Sequence, residues 1–76
     1  MEIQTFLESE RALIEQVERS VRQRTSGLIR GLRVEMFAGE IVLSGRTSTY
    51  YTKQLATHAA MDVADNLTLT NDIEVF

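Results

Sequence analysis

The fold of this 76-residue chain is decided by residues 32–45, LRVEMFAGEIVLSG. Apolar residues occupy every second position on both sides of Ala38-Gly39: positions 32, 34 and 36 before it, and 41 and 43 after it. Such alternation is typical of a strand with one buried face. Gly39 can adopt the positive φ that a tight turn requires, and Gly45 ends the second run. We therefore predict one β-hairpin over residues 32–45.

The segment before the hairpin has the periodicity of a helix. Apolar residues recur at spacings of three and four, and charged residues fill the other face: Ile14, Val17 and Val21 form the apolar stripe. Thr5 heads a capping-box pattern, and Ser9 is an alternative start. Gly27 stands where a left-handed residue closes a helix. These signals predict a helix over about residues 6–25.

The segment after the hairpin predicts a second helix over residues 50–64, capped by Ser48 or Thr49. Its apolar stripe has a spacing of four, through Tyr51, Leu55, Ala59 and Val63. Small alanines beside this stripe would let the helix lie close to its neighbour. Asn66 tolerates the left-handed conformation that ends a helix, so we expect the helix to stop there.

The last apolar set lies at positions 67, 69, 73 and 75. Its alternation slips, because Asn71 takes a position that an apolar residue should hold. A bulge or a break into two short strands would restore the phase. We therefore predict an irregular third strand.

Two helices and three strands in the order αββαβ predict a two-layer α+β domain spanning residues 1–76, with the first five or so residues frayed. Since the strands alternate, the two helices should share one face of a three-stranded mixed sheet. The second helix is a crossover, which favours a parallel second and third strand. The edge order and the register of the last strand stay open.

Composition narrows the functional classes. The chain has no cysteine, which excludes a disulfide framework and thiol chemistry. A net charge of −3 argues against a general nucleic-acid binder, and no apolar run approaches the ~20 residues of a membrane span. No cofactor motif is visible. The opening residues MEIQTFLESE lack a secretory pattern, which predicts a cytoplasmic protein, peripheral at the membrane, or a periplasmic one if the chain is a fragment of a longer exported protein.

The ordered combination of these motifs resembles the BON domain, a small bacterial module of osmotic-shock and nodulation proteins. The matching residues are Leu32-x-Val34, then Gly39-x-Ile41-x-Leu43-Ser44-Gly45, and the closing Asn71-x-Ile73-x-Val75. The chain departs from the family at Asp65-Asn66-Leu67, where the family usually carries Gly-Val. The resemblance implies a non-enzymatic module that attaches to phospholipid membranes or envelope proteins. It transfers no residue-level binding site.

Five arginines occur with no acidic residue between Glu18 and Glu35, in a chain that is acidic overall: Arg19, Arg22, Arg24, Arg30 and Arg33. If they converge, they form a patch that attracts anionic lipid headgroups by roughly 1 kcal/mol each. The alternative is a solvated helix face whose arginines complement the helix dipole.

Phe37 and Val42 fall on the polar side of the hairpin's alternation, which places them on the open face of the sheet. They either form a cross-strand pair or mark a surface for a partner protein. The oligomeric state stays undetermined.

His58 is the only histidine, and Asp62 follows it by one helical turn, with Asp65 close behind. These residues could bind an ion weakly or serve a small catalytic site, but a metal site needs three or four ligands. A helix-surface role is the simpler interpretation. Gly27-x-x-x-Gly31 lacks the Lys-Ser/Thr pair of a phosphate loop, and the chain lacks the GxxG clamp of KH-type RNA modules.

Overall fold

A computed structural model describes the backbone of residues 2–76 and the side chains from Ser9 onward. The helices and strands are α1 (Glu2–Arg24), β1 (Arg30–Phe37), β2 (Glu40–Thr47), α2 (Tyr50–Val63) and β3 (Thr68–Val75). The sheet order is β1-β2-β3, with β1 antiparallel and β3 parallel to β2. The predicted α+β fold with a three-stranded mixed sheet is confirmed.

The hydrophobic core lies between the two helices and one face of the sheet. Its most completely buried large side chains come from α1, β2 and β3: Val17, Val21, Ile41, Leu43 and Ile73. Leu13 and Ile14 pack against this cluster, so the apolar stripe predicted for the first helix is confirmed. The strand residues in the cluster all belong to the inward set of the alternation, which puts both helices on the same side of the sheet.

Helix α1 begins at Glu2, earlier than the predicted residue 6. Residues 2–24 contain no glycine or proline and are rich in Glu, Gln, Leu and Arg, so nothing in the sequence stops the helix from extending. Positions 5 and 9 therefore lie inside the helix, and neither starts it. The Thr5 side chain of the predicted capping box lies outside the described residues, and the predicted fraying of the first residues stays a prediction.

The end of α1 is closed by Ser26, one residue before the predicted Gly27. The amide of Gly27 donates to the carbonyl of Arg22 at 3.1 Å, and that of Ser26 to Gln23 at 3.3 Å. This pair of bonds is a Schellman motif with Ser26 at the left-handed C′ position. Ser26 has φ +54° and Gly27 has φ +72°, so the chain turns sharply through both residues.

The hairpin turn has positive φ at both central residues, +48° at Ala38 and +81° at Gly39. Two such residues define the type I′ turn that matches the twist of a hairpin. The positive φ predicted for Gly39 is confirmed, and β1 and β2 extend two residues beyond the predicted hairpin at each end.

A β-bulge lies in β1, not in the last strand as predicted. Between Arg30 and Arg33 the register shifts by one residue, so that two residues of β1 face Gly45 alone. Gly31 has φ +63°, the left-handed conformation of the first residue in a glycine bulge. A side chain at Gly45 would meet the side chain of Ile29 at 2.8 Å and the carbonyl oxygen of Arg30 at 3.0 Å. Gly45 therefore allows close approach of the bulge.

Helix α2 is capped by Thr49, whose hydroxyl accepts a hydrogen bond from the amide of Thr52 at 3.1 Å. Its buried face runs through Thr52, Ala56, Ala59 and Ala60. Ala59 belongs to the predicted stripe, whereas the first half of that stripe is displaced by one residue. Tyr51 is exposed, so its predicted burial is wrong. The small residues face α1, where the hydroxyl of Ser20 donates to the carbonyl of Ala59 at 3.0 Å.

The helix ends at Val63 with Ala64 as its C-cap. Among the described residues, positive φ outside glycine occurs at Ser26 and Ala38. The left-handed ending predicted at Asn66 is therefore wrong.

Strand β3 is continuous, and all eight of its residues keep register with β2. Asn71 holds an inward position because its polar groups are satisfied there. Its amide nitrogen donates to the carbonyl of Lys53 at 2.9 Å and to the hydroxyl of Thr57 at 2.7 Å. Its side-chain oxygen accepts from the amide of Ile73 at 3.0 Å. The predicted bulge in this strand is wrong, since these bonds to α2 make an apolar residue unnecessary.

Candidate functional site

The arginines of α1 lie on the helix surface, and two of them have carboxylate partners. Arg22 donates to Glu18 one turn earlier at 2.7 Å, and Arg24 pairs with Asp62 of α2. Arg19 is exposed beside Arg22. Exposed pairs of this kind contribute about 0–1 kcal/mol, but they balance the charge of Arg22 and Arg24 locally. The structure does not gather the five predicted arginines into one patch.

The arginines of β1 have a different environment, which the bulge at Gly31 creates. Arg33 pairs with Ser44 and Arg30 pairs with Arg46 in the register of the hairpin. Directly paired residues share a face, and so do residues two apart on one strand. Arg30 and Arg33 are three apart, so without the bulge they would point to opposite faces. The extra residue puts both of them, with Arg46, on the open face of the sheet.

Arg30 and Arg46 line a cleft of about 360 Å³, here called the arginine cleft. It lies where the α1–β1 connection, the end of β2 and the end of β3 meet. The cleft is bounded by Gly27, Leu28, Arg30, Arg46, Thr47, Ser48 and Phe76.

The guanidinium of Arg46 is held from two directions. Its central carbon lies 4.6 Å from the centre of the Phe76 ring, which is within the range of a cation–π contact. Its Nε lies 3.8 Å from a carboxylate oxygen of Glu74. Arg30 is in no ion pair among the described side chains. Since the contact of Arg46 with Glu74 joins largely exposed groups, it offsets the charge only in part, and the cleft keeps an excess of positive charge.

Two large apolar side chains flank these cations. Leu28 is 63% exposed and Phe76 is 62% exposed. The sharp turn through Ser26 and Gly27 carries Leu28 outward, directly before the buried Ile29. Guanidinium groups bind oxyanions through paired hydrogen bonds, while exposed apolar side chains favour an apolar neighbour. The arrangement suits a ligand that joins an anionic group to an apolar one.

The other predicted surface, around Phe37, lies on the open face as expected. Phe37 is 59% exposed and pairs directly with Glu40, whereas Val42 pairs with Glu35. The two apolar side chains are therefore diagonal neighbours and not directly opposed. The hydroxyl of Thr70 on β3 donates to a carboxylate oxygen of Glu40, the partner of Phe37, at 2.6 Å.

The side chains suggested for an ion site are not assembled into one. Asp62 is engaged by Arg24, and His58 and Asp65 are exposed. Among the side chains that the structure describes, no group of three or more His, Asp or Glu residues is arranged to hold a metal ion. Within the same part of the chain, neither helix combines the length and apolar content needed to cross a membrane.

Sequence reasoning missed Arg46, Thr47 and Phe76, which lie outside the acid-free stretch that drew attention to the arginines. The position of Arg46 could have been found from the hairpin turn, because the turn sets which residues of β1 and β2 are paired. Counting pairs outward from Ala38-Gly39 places Arg46 opposite Gly31, next to Arg30. Phe76 carried no such signal, because its place follows from the parallel register of β3.

A scan against protein-family models gave no match, and a search of the curated proteins found no similar sequence. The resemblance to the BON family therefore stays a prediction. The hairpin, the alanine-bearing helix and the closing strand that suggested it are present in the fold, but a fold alone does not decide function.

Proposed function

We propose that this chain is a non-enzymatic interaction module that attaches peripherally to anionic phospholipid surfaces. The observation that carries the proposal is the arginine cleft, where exposed Leu28 and Phe76 flank Arg30 and Arg46. Juxtaposed cations and apolar side chains are the two elements of peripheral membrane binding. The role agrees with what the BON resemblance implies.

The charge distribution sets the geometry of attachment. The whole chain carries −3, so an anionic membrane repels most orientations of the molecule. The end with the arginine cleft is the exception, since each basic residue near the surface contributes about 1 kcal/mol. Attachment through this end leaves the Phe37 side of the sheet and the outer face of α1 for other contacts.

Vesicle sedimentation tests the proposal. We expect the protein to sediment with vesicles of phosphatidylglycerol and phosphatidylcholine, not with phosphatidylcholine alone, and to be released as salt rises. The double variant Arg30→Ala/Arg46→Ala should lose most of the binding. Arg11→Ala removes one exposed charge from the outer part of α1 and serves as the control for unspecific attraction.

Two results would contradict membrane attachment: no sedimentation with anionic vesicles, or binding that salt does not weaken. Equal losses in Arg11→Ala and the double variant would show that the cleft has no special part in it. If this protein instead binds an envelope protein in the absence of lipid, that result supports the other role that the BON resemblance implies.

A further inference from the structure

We infer that the arginine cleft is a binding site for one phosphate-type oxyanion, held jointly by Arg30 and Arg46. The starting observation is their pairing. The two residues are direct partners in the register of β1 and β2, and like charges placed directly opposite each other across a sheet are destabilising. An anion between the two guanidinium groups removes that repulsion and gains hydrogen bonds from both.

The protein itself compensates this pair only weakly. Arg30 is in no ion pair among the described side chains, and the contact of Arg46 with Glu74 spans 3.8 Å between largely exposed groups. Local conflicts of this kind are typical of functional sites, where stability is given up for binding. By contrast, the α1 arginines Arg22 and Arg24 lie against carboxylates.

The donors in the cleft suit a tetrahedral oxyanion better than a carboxylate. Each guanidinium offers a planar fork of N–H groups, and the Phe76 ring restrains the one on Arg46. Ser48 lines the same cleft. A carboxylate fills one such fork with its two oxygens, whereas a phosphate has enough oxygens to bind both forks.

The ligand class is therefore a phosphate or phosphate ester. A soluble phosphate compound and a phospholipid headgroup present the same chemistry. The headgroup case rests on the proposed membrane attachment, while the soluble case does not.

Thermal unfolding with inorganic phosphate as the probe tests the site. Phosphate also stabilises proteins generally, by exclusion from their surface, so the decisive quantity is the difference between variants. At a concentration about ten times the dissociation constant, a bound anion should raise Tm by roughly 6–10 °C in a domain of this size. We expect this rise, relative to sodium chloride at equal ionic strength, in the natural chain and in Arg11→Ala.

The variants Arg30→Ala/Arg46→Ala and Arg30→Lys/Arg46→Lys should show only the general effect. The lysine pair keeps the charge and removes the forks. Arg30 and Arg46 are exposed, so we expect both double variants to fold. Their Tm in sodium chloride checks this. An equal rise in all four proteins would overturn the inference, and so would an equal rise with sodium acetate.

Vesicles containing phosphatidylglycerol show whether the bound phosphate group belongs to a phospholipid headgroup or to a soluble compound. If inorganic phosphate displaces the natural chain from these vesicles more than chloride at equal ionic strength does, the headgroup occupies the same site. If vesicle binding is absent while the phosphate effect on Tm persists, the anion site holds for soluble phosphate and the proposed membrane attachment fails. The two proposals therefore fail by different measurements.

Discussion

Among the four glycines, Gly45 is the one at which the fold tolerates a side chain least. It has φ +146°, and a Cβ there would lie 2.8 Å from the Ile29 side chain and 3.0 Å from the backbone oxygen of Arg30. Gly31, on the opposite side of the same bulge, also has positive φ but open space around it. The two glycines separate the cost of backbone conformation from the cost of a steric clash.

We predict that Gly45→Ala lowers the free energy of unfolding by about 2–4 kcal/mol, since it adds overpacking to backbone strain. The control Gly31→Ala should cost about 1 kcal/mol, from strain alone. Urea denaturation followed by circular dichroism measures both. Equal losses would show that Gly45 is required only for its backbone angle.

Asn71 shows why one residue can defeat a sequence pattern. Its polarity breaks the alternation of the last strand, and this predicts a bulge. The structure keeps the strand regular because Lys53 and Thr57 of α2 accept the hydrogen bonds of the Asn71 amide. Those partners are 18 and 14 residues away, so no local pattern announces them.

In the hairpin turn between β1 and β2, one residue is poorly suited to its backbone conformation, and a substitution there should stabilise the fold. Ala38 occupies a position with φ +48°, which costs a residue with a Cβ roughly 1–2 kcal/mol. Asn and Gly are the residues that type I′ turns prefer there.

We predict that Ala38→Asn raises the free energy of unfolding by about 0.5–1 kcal/mol, measured as a higher urea midpoint with an unchanged slope. Ala38→Val, which adds a branched side chain at the same φ, should lower the midpoint. A stabilising valine would contradict the assignment of the turn.

The existence and order of all five elements were predictable, because four of them have a clear period and the last strand keeps apolar residues at positions 67, 69, 73 and 75. The parallel pairing of β2 and β3 followed from the length of the connection that contains α2. The phase of the α2 stripe was not predictable, because Tyr51 and Leu55 are larger and more apolar than the Thr52 and Ala56 that are actually buried. Close packing against Ser20 of α1 selects the small side.

The whole molecule depends on one core that contains residues of every helix and strand. Ile73 is fully buried in it, on an edge strand of the sheet, while Val75 on the same strand is 41% exposed. A domain of this size has a stability of about 4–11 kcal/mol, so one large cavity removes a considerable share.

We predict that Ile73→Ala costs about 2–5 kcal/mol and that Val75→Ala costs less than about 1 kcal/mol. Because the core is shared, helix content and amide protection in the hairpin should fall together as Ile73→Ala is titrated with urea. A hairpin that keeps its protection after the helices have melted would contradict a single cooperative core.

The candidate site was predictable only in part, since it is a property of the assembled molecule. Arg30 was among the arginines that the sequence analysis selected. Its neighbours were not, because Arg46 joins it through the hairpin register and Phe76 through the parallel pairing of β3. The ion pairs of Arg22 and Arg24 likewise depend on where the helix surfaces meet other groups.

The position of β2 in the middle of the sheet has a consequence for synthesis. Its antiparallel partner precedes it across a two-residue turn, whereas its parallel partner follows only after a complete helix. A nascent chain can thus close the hairpin early but must wait for residues 68–75 to cover the other side of β2. During that interval the strand with the most buried residues in the finished protein presents unpaired amides and carbonyls to other chains. A chaperone that covers β2 at that stage would reduce aggregation between nascent chains on the same polysome.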